Sequence, residues 1–248
     1  MPTAVLTSQT GFKSFYCNDC TDKLDYYTSE WKKLGFQPDG IYTGFLSSEK
    51  QVDKILDFIN SFETENTLVL VDPVMGDGGR TYSLFTDTLA CKMKKLVTVA
   101  DVITPNLTEC CILCDIDYSD FIKSADNPDF MDKVAELGKS LLKRYGVKIV
   151  IITGIEHKSA DGTVNVQNLI ASEDEIFTVS CKKIGGSYSG TGDLFASVMF
   201  SGLLRGDTLR DTVSLAVKFI ETSLRDTVAL GIDRNEGIEF EKHLKILL

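Results

Sequence analysis

Short β-branched runs alternate with longer segments of helical period along this chain, and that alternation limits what it can fold into. A run apolar at consecutive positions suits a strand covered on both faces, so the pattern predicts a mostly parallel sheet with helices on both sides. The candidate strands are Ala4–Leu6, Gly40–Thr43, Thr67–Asp72, Val102–Thr104 and Lys148–Thr153, followed by Val164–Ile170 and Ile176–Cys181, which read as an antiparallel hairpin. Between them, Ser48–Phe62 sets Val52, Ile55, Leu56 and Ile59 on one stripe. Met131–Tyr145 does the same with Val134, Leu137, Leu141 and Leu142. Thr191–Leu204 and Leu209–Thr227 read as two further long helices, with Glu236–Leu247 closing the chain and Asp115–Asp129 as a polar surface excursion. Neither an internal repeat nor a linker divides the 248 residues, so one α/β domain over 1–248 is expected.

Charge and composition exclude several classes of function. With 26 basic and 36 acidic residues the net charge is −10, which repels phosphate backbones, and no basic cluster offsets it, so nucleic acid is not an expected partner. No apolar stretch approaches the ~18–20 residues of a membrane-spanning helix. The start, Met-Pro-Thr-Ala-Val-Leu-Thr, has no basic segment, apolar stretch or cleavage site of a secretory signal, which places the chain in the cytoplasm. Seven cysteines then read as free thiols. Cys17/Cys20 and Cys111/Cys114 have a zinc-like spacing, but Cys110–Cys114 lies in an apolar run where cysteine serves as a small hydrophobe. His157 and His243 stand alone, without metal spacing.

Three segments carry chemistry. Gly185–Asp193 is a glycine-rich turn running into an apolar helix, and free amides at a helix start attract anions. Gly190 and Gly192 let that backbone approach a phosphate, while Asp193 adds an acid no phosphate ligand requires. This pairing suits proton abstraction beside a transferring phosphoryl group, although the same Asp also suits a plain helix cap. The turn is not a Walker loop, because the Gly-Lys-Ser/Thr ending is absent, and it is not a dinucleotide fingerprint. The second segment, 68–79, is an apolar strand ending in Asp72, then a loop carrying Asp77 among glycines; the pair would hold magnesium through water, or form an ordinary turn. The third, 101–109, presents Thr104, Asn106 and Glu109 where a proline turn enters a helix. In open α/β sheets such strand ends are where ligands sit.

In order and wording these segments resemble the pyridoxal kinase branch of the ribokinase-like superfamily. Asp-Pro-Val-Met-Gly-Asp at 72–77, Thr-Pro-Asn-x-x-Glu at 104–109 and Gly-Thr-Gly-Asp at 190–193 are similar to that family's magnesium, phosphate and catalytic motifs. Residues 2–12 and Tyr42-Thr-Gly44-Phe45 resemble segments lining its pyridoxal pocket. The resemblance implies a three-layer α/β/α sandwich and an ATP-dependent kinase acting on the 5′-hydroxyl of pyridoxal, pyridoxine or pyridoxamine, working as a homodimer. It implies ATP, Mg2+ and K+ as cofactors. Asp193 would be the general base and the amides of Gly190, Thr191 and Gly192 an anion hole. Asp72, Asp77 and Glu109 would position magnesium, largely through waters, and Asn106, Thr104 and Thr153 would face the triphosphate. Thr10 would meet the polar edge of the pyridine ring, Phe45 its face, with Gly44 beside them.

Relative to the family, the expected fold lacks the usual first strand–helix unit. Phe45 stands where tyrosine is common and Gln9 where histidine is common. Two other functions fit the same sequence. One is a hydroxymethylpyrimidine kinase, against which the segments at Thr10 and Phe45 argue. The other is a non-catalytic vitamer or nucleotide binder, against which Asp193 argues.

Overall fold

The computed structural model describes residues 1–82, 85–159 and 162–248. Its elements, in chain order, are β1 (Ala4–Leu6), β2 (Cys17–Asp19), α1 (Thr21–Lys33), β3 (Gly40–Thr43), α2 (Glu49–Phe62), β4 (Leu68–Val71), β5 (Gly76–Asp77), β6 (Arg80–Thr81), α3 (Asp87–Val97), β7 (Val102–Ile103), α4 (Leu107–Cys114), α5 (Tyr118–Ile122), α6 (Phe130–Tyr145), β8 (Ile149–Lys158), β9 (Val164–Ser172), β10 (Ile176–Lys182), α7 (Thr191–Arg205) and α8 (Leu209–Leu230). The central sheet has six strands in the order β10-β9-β8-β7-β4-β3. From β3 to β8 the pairing is parallel, and β9 and β10 continue it antiparallel.

The two-residue period of a strand sorts the core into two layers. Ile41, Val69, Val71, Ile103, Val150 and Ile152 pack beneath helices α2, α3, α4 and α6. Leu70, Val102 and Ile151 point the other way, into α7 and α8. The expected α/β/α layering is therefore present. Ser48 caps α2 by accepting the Gln51 N–H, and the buried stripe Val52, Ile55, Phe58, Ile59, Phe62 faces the sheet.

Five features depart from the sequence reading. Ala4–Leu6 is a strand, but it pairs antiparallel with Cys17–Asp19 in a separate two-stranded flap. Its root is tied to α2, where Gln51 donates to the Thr3 carbonyl and to Asp19, and Ser47 donates to Asp19. Helix α1 was not expected, because within it only Thr21 and Leu24 are buried and its apolar stripe is thin. Helix α3 was also missed, although Leu89, Met93, Leu96 and Val97 form a helical stripe behind the Thr86 cap. The excursion 115–129 contains α5, capped by Asp117. The closing segment is not one helix: Gly237, at φ 89° and ψ −158°, separates the 3-10 turns Arg234–Glu236 and Glu241–Leu247.

Candidate active site

The parallel strands all end on one side of the molecule, and the polar residues predicted from sequence follow directly on them. Gly44 follows β3, Asp72 follows β4, Thr104 follows β7, and Thr153 lies where β8 leaves its parallel register. A bulge between Ile152 and Ile155 turns the chain there. Gly154 takes φ 68°, and its N–H is accepted by the buried Asn168 Oδ1 at 3.2 Å.

Helix α4 is built on a complete capping box: Asn106 Oδ1 accepts the Glu109 N–H at 3.0 Å while Glu109 Oε2 accepts the Asn106 N–H at 2.9 Å. The same two side chains hold the preceding acid loop. Glu109 Oε1 accepts the Met75 N–H at 3.0 Å, and Asn106 Nδ2 donates to the Gly76 carbonyl at 2.8 Å. The β5–β6 turn is pinned from the same helix, since Gly79 N–H donates to Thr108 Oγ1 at 2.9 Å. Local capping chemistry thus fixes the second and third motifs against each other. Both Asn106 and Glu109 are engaged by the backbone, and Asn106 and Thr153 form a parallel bridge.

Asp193 lies in the first turn of α7, behind Gly190 at φ 82°. No side chain caps that helix end, and a β-carbon at Gly190 or Gly192 would meet nothing within 4 Å, so the backbone of the first turn is open to close approach. Thr191 Oγ1 donates to the Tyr188 carbonyl at 3.0 Å, leaving its N–H as its contribution to the opening. The turn is braced from behind: Ser189 N–H donates to the Arg234 carbonyl. The next residue, Asn235, reaches the flap, where its side chain lies against Gly11 and leaves no room for a β-carbon there. These contacts carry the loop of Thr10 to the glycine turn. Thr10 itself is exposed, and Phe45 is half-buried with its carbonyl accepting from Thr3 Oγ1 at 3.2 Å.

The charges of the three motifs reach one another. Burial, with the nearby charge of Asp193 adding to it and a hydrogen bond from Thr104 partly offsetting it, pushes the Asp72 carboxyl up to about 7. Burial likewise raises Glu109 well above the usual range, with Asp72 adding to it. Asp193 reaches solvent, yet the protein around it raises its carboxyl too, partly offset by a hydrogen bond from Tyr42. Asp77 is exposed on the β5–β6 turn, with Oδ1 accepting the Gly78 N–H, and its charge reaches Tyr82, as do those of Glu109, Asp72 and Asp193. Among the described residues none of these four acids is in an ion pair; the Thr104 hydroxyl faces the Asp72 carboxyl, and that of Thr43 is buried without a partner. Mutually repelling carboxylates and an unsatisfied hydroxyl fit a divalent cation with its waters. Among the described residues no three acids, histidines or cysteines converge closely enough to hold one directly.

Sequence reading missed Tyr42, whose hydroxyl donates to Asp193 Oδ1 at 3.4 Å, and Asn168, which shapes the bulge. The cysteines Cys110 and Cys111 are buried on α4, and all seven thiols are free. A groove of about 980 Å³ lies at the other end of the strands, lined by Lys139, Lys143, Lys148 and the Glu173–Ile176 turn, away from these acids.

A Schizosaccharomyces pombe protein provisionally named pyridoxal kinase is 29% identical over 172 residues; the match covers 67% of this chain and 47% of that one, so the chain spans about half of this relative. The hydroxymethylpyrimidine/phosphomethylpyrimidine kinase of Haemophilus influenzae is 27% identical over 200 residues, covering 80% of this chain and 70% of the relative. A Bacteroides thetaiotaomicron structure with pyridoxal, provisionally named a phosphomethylpyrimidine kinase, superposes with a TM-score of 0.90 at 37% identity. That superposition covers 99% of this chain and 83% of the other. The profile of phosphomethylpyrimidine kinases matches residues 31–237, and the chain belongs to that kinase family.

Proposed function

We propose that this chain transfers the γ-phosphoryl group of ATP to the 5′-hydroxyl of pyridoxal or a sister vitamer. The observation that carries the reading is Asp193: an acid in the first turn of an uncapped helix, beside the buried Asp72 carboxyl at a strand end, which in turn neighbours the buried Glu109. Asp193 takes the proton of the hydroxyl as its oxygen attacks the γ-phosphorus, and the bond to ADP breaks. The amides of Gly190, Thr191 and Gly192 hold the charge that develops on the transferring group. Asp72, Asp77 and Glu109 would hold magnesium, largely through waters, and the ion would neutralise triphosphate charge. Thr104, Asn106 and Thr153 line the triphosphate side, and Thr10, Gly44 and Phe45 the ring side. Potassium and a homodimer are carried over from the family likeness alone. Free thiols suit a reducing, cytoplasmic setting.

A second substrate, hydroxymethylpyrimidine, is favoured by the family profile and by the Haemophilus influenzae relative. Pyridoxal is favoured by the pyridoxal-containing neighbour at 37% identity. ADP release by the 248-residue chain with ATP, magnesium and potassium, measured with each vitamer and with the pyrimidine, separates the two. Turnover is expected on a vitamer; turnover on the pyrimidine alone overturns the vitamer assignment, and ATP binding without turnover favours the non-catalytic reading.

A further inference from the structure

Strand β3 alternates, and the alternation has a chemical consequence one residue before Gly44. Ile41 and Thr43 are buried, with Ile41 packed beneath α2, so Tyr42 points to the opposite face and packs against α7 and its neighbours. Its ring lies 6.2 Å from that of Phe200, two helical turns beyond Asp193 on the same face of α7. The ring therefore runs along the helix, and its hydroxyl reaches back to donate to Asp193 Oδ1 at 3.4 Å. Among the described residues Oδ2 of Asp193 accepts no hydrogen bond. Beside the pair, a β-carbon on Gly44 would fall 3.5 Å from the Tyr42 hydroxyl and 3.7 Å from Oδ1, so the missing side chain leaves that flank open.

We propose that Tyr42 is a positioning residue for Asp193: its single hydroxyl proton fixes Oδ1 and leaves Oδ2 to meet the substrate hydroxyl. This rests on the reading of Asp193 as the base. A phenol is suited to the task because burial and the charges of Asp72 and Asp193 hold it protonated, as a donor, across the working range. Phe200 fixes the ring, so the hydroxyl is aimed by packing.

Tyr42→Phe keeps the ring contact and removes only the hydroxyl. Steady-state ADP release with the preferred alcohol, for wild type, Tyr42→Phe, Asp193→Asn and the double variant, tests the role. Tyr42→Phe is expected to lower kcat about tenfold, the scale of a hydrogen bond to a charged group, with KM for ATP and the melting temperature unchanged. In the Asp193→Asn background the same change is expected to cost nothing further, because the group it serves is gone. Wild-type kcat in Tyr42→Phe, or an undiminished loss in the Asp193→Asn background, overturns the proposal while leaving Asp193 as the base. Absence of transfer by the wild type, or wild-type turnover by Asp193→Asn, removes the reading of Asp193 and the proposal with it.

Discussion

Asp193 and Asp72 divide the electrostatic work of the site, and substitutions at the two have different signatures. Asp193→Asn is expected to lower kcat by about 10²–10⁴ with ATP affinity nearly unchanged, as kinetics and nucleotide titration report. Asp72 bears on stability as well. Its carboxyl is raised in the folded protein, so between the ordinary carboxylate pKa of about 4 and about 7 the native state binds more protons than the unfolded chain. Stability is therefore highest on the acid side of that window and falls as pH rises through it. With a chelator present, the melting temperature is expected to drop between pH 5 and pH 8. Asp72→Asn is expected to flatten that slope and, at pH 8, to be more stable than wild type by roughly 1 kcal/mol or more while losing activity. A wild-type melting temperature that climbs from pH 5 to pH 8 contradicts the account. The acids themselves were legible in the sequence because they sit in turn-rich strand ends. Tyr42 was not, since its role depends on which face of β3 meets α7.

Among the elements, α4 carries the heaviest structural duty, because its capping box also holds the loop of Asp72 and Asp77. Asn106→Ala removes the cap and the bond to the Gly76 carbonyl together. A stability loss of about 1–2 kcal/mol is expected in denaturant unfolding, with a weaker response to magnesium. Glu109→Gln keeps the shape but loses the charge that takes two backbone N–H groups, so both the melting temperature and the magnesium half-saturation should change. A magnesium titration that does not move takes Glu109 out of the cation's surroundings. Elements with a wide apolar stripe were readable from period alone, as α2, α6, α7 and α8 illustrate. Helix α1 was not readable because it buries so little, nor was β2, whose pairing with Ala4–Leu6 spans a ten-residue loop. At Gly237 one glycine with positive φ replaced a predicted helix by two short turns.

At the scale of the whole molecule, the six-stranded sheet acts as the aligning device. Parallel strands β3, β4, β7 and β8 end together, and α7 enters from the opposite layer to place its first turn beside them. The flap and the segment 234–237 close the far side around the glycine turn. Sequence order alone predicted which motifs would converge, because a parallel sheet leaves few alternatives; it did not reveal the brace from Arg234 and Asn235, which depends on chain ends meeting in space. The most direct test of the central claim is 31P NMR of the chain with ATP, magnesium and pyridoxal, wild type beside Asp193→Asn. The account predicts a phosphomonoester resonance growing with that of ADP for the wild type and nearly absent for the variant. A monoester formed at the wild-type rate by Asp193→Asn, or inorganic phosphate as the sole product of the wild type, would contradict it.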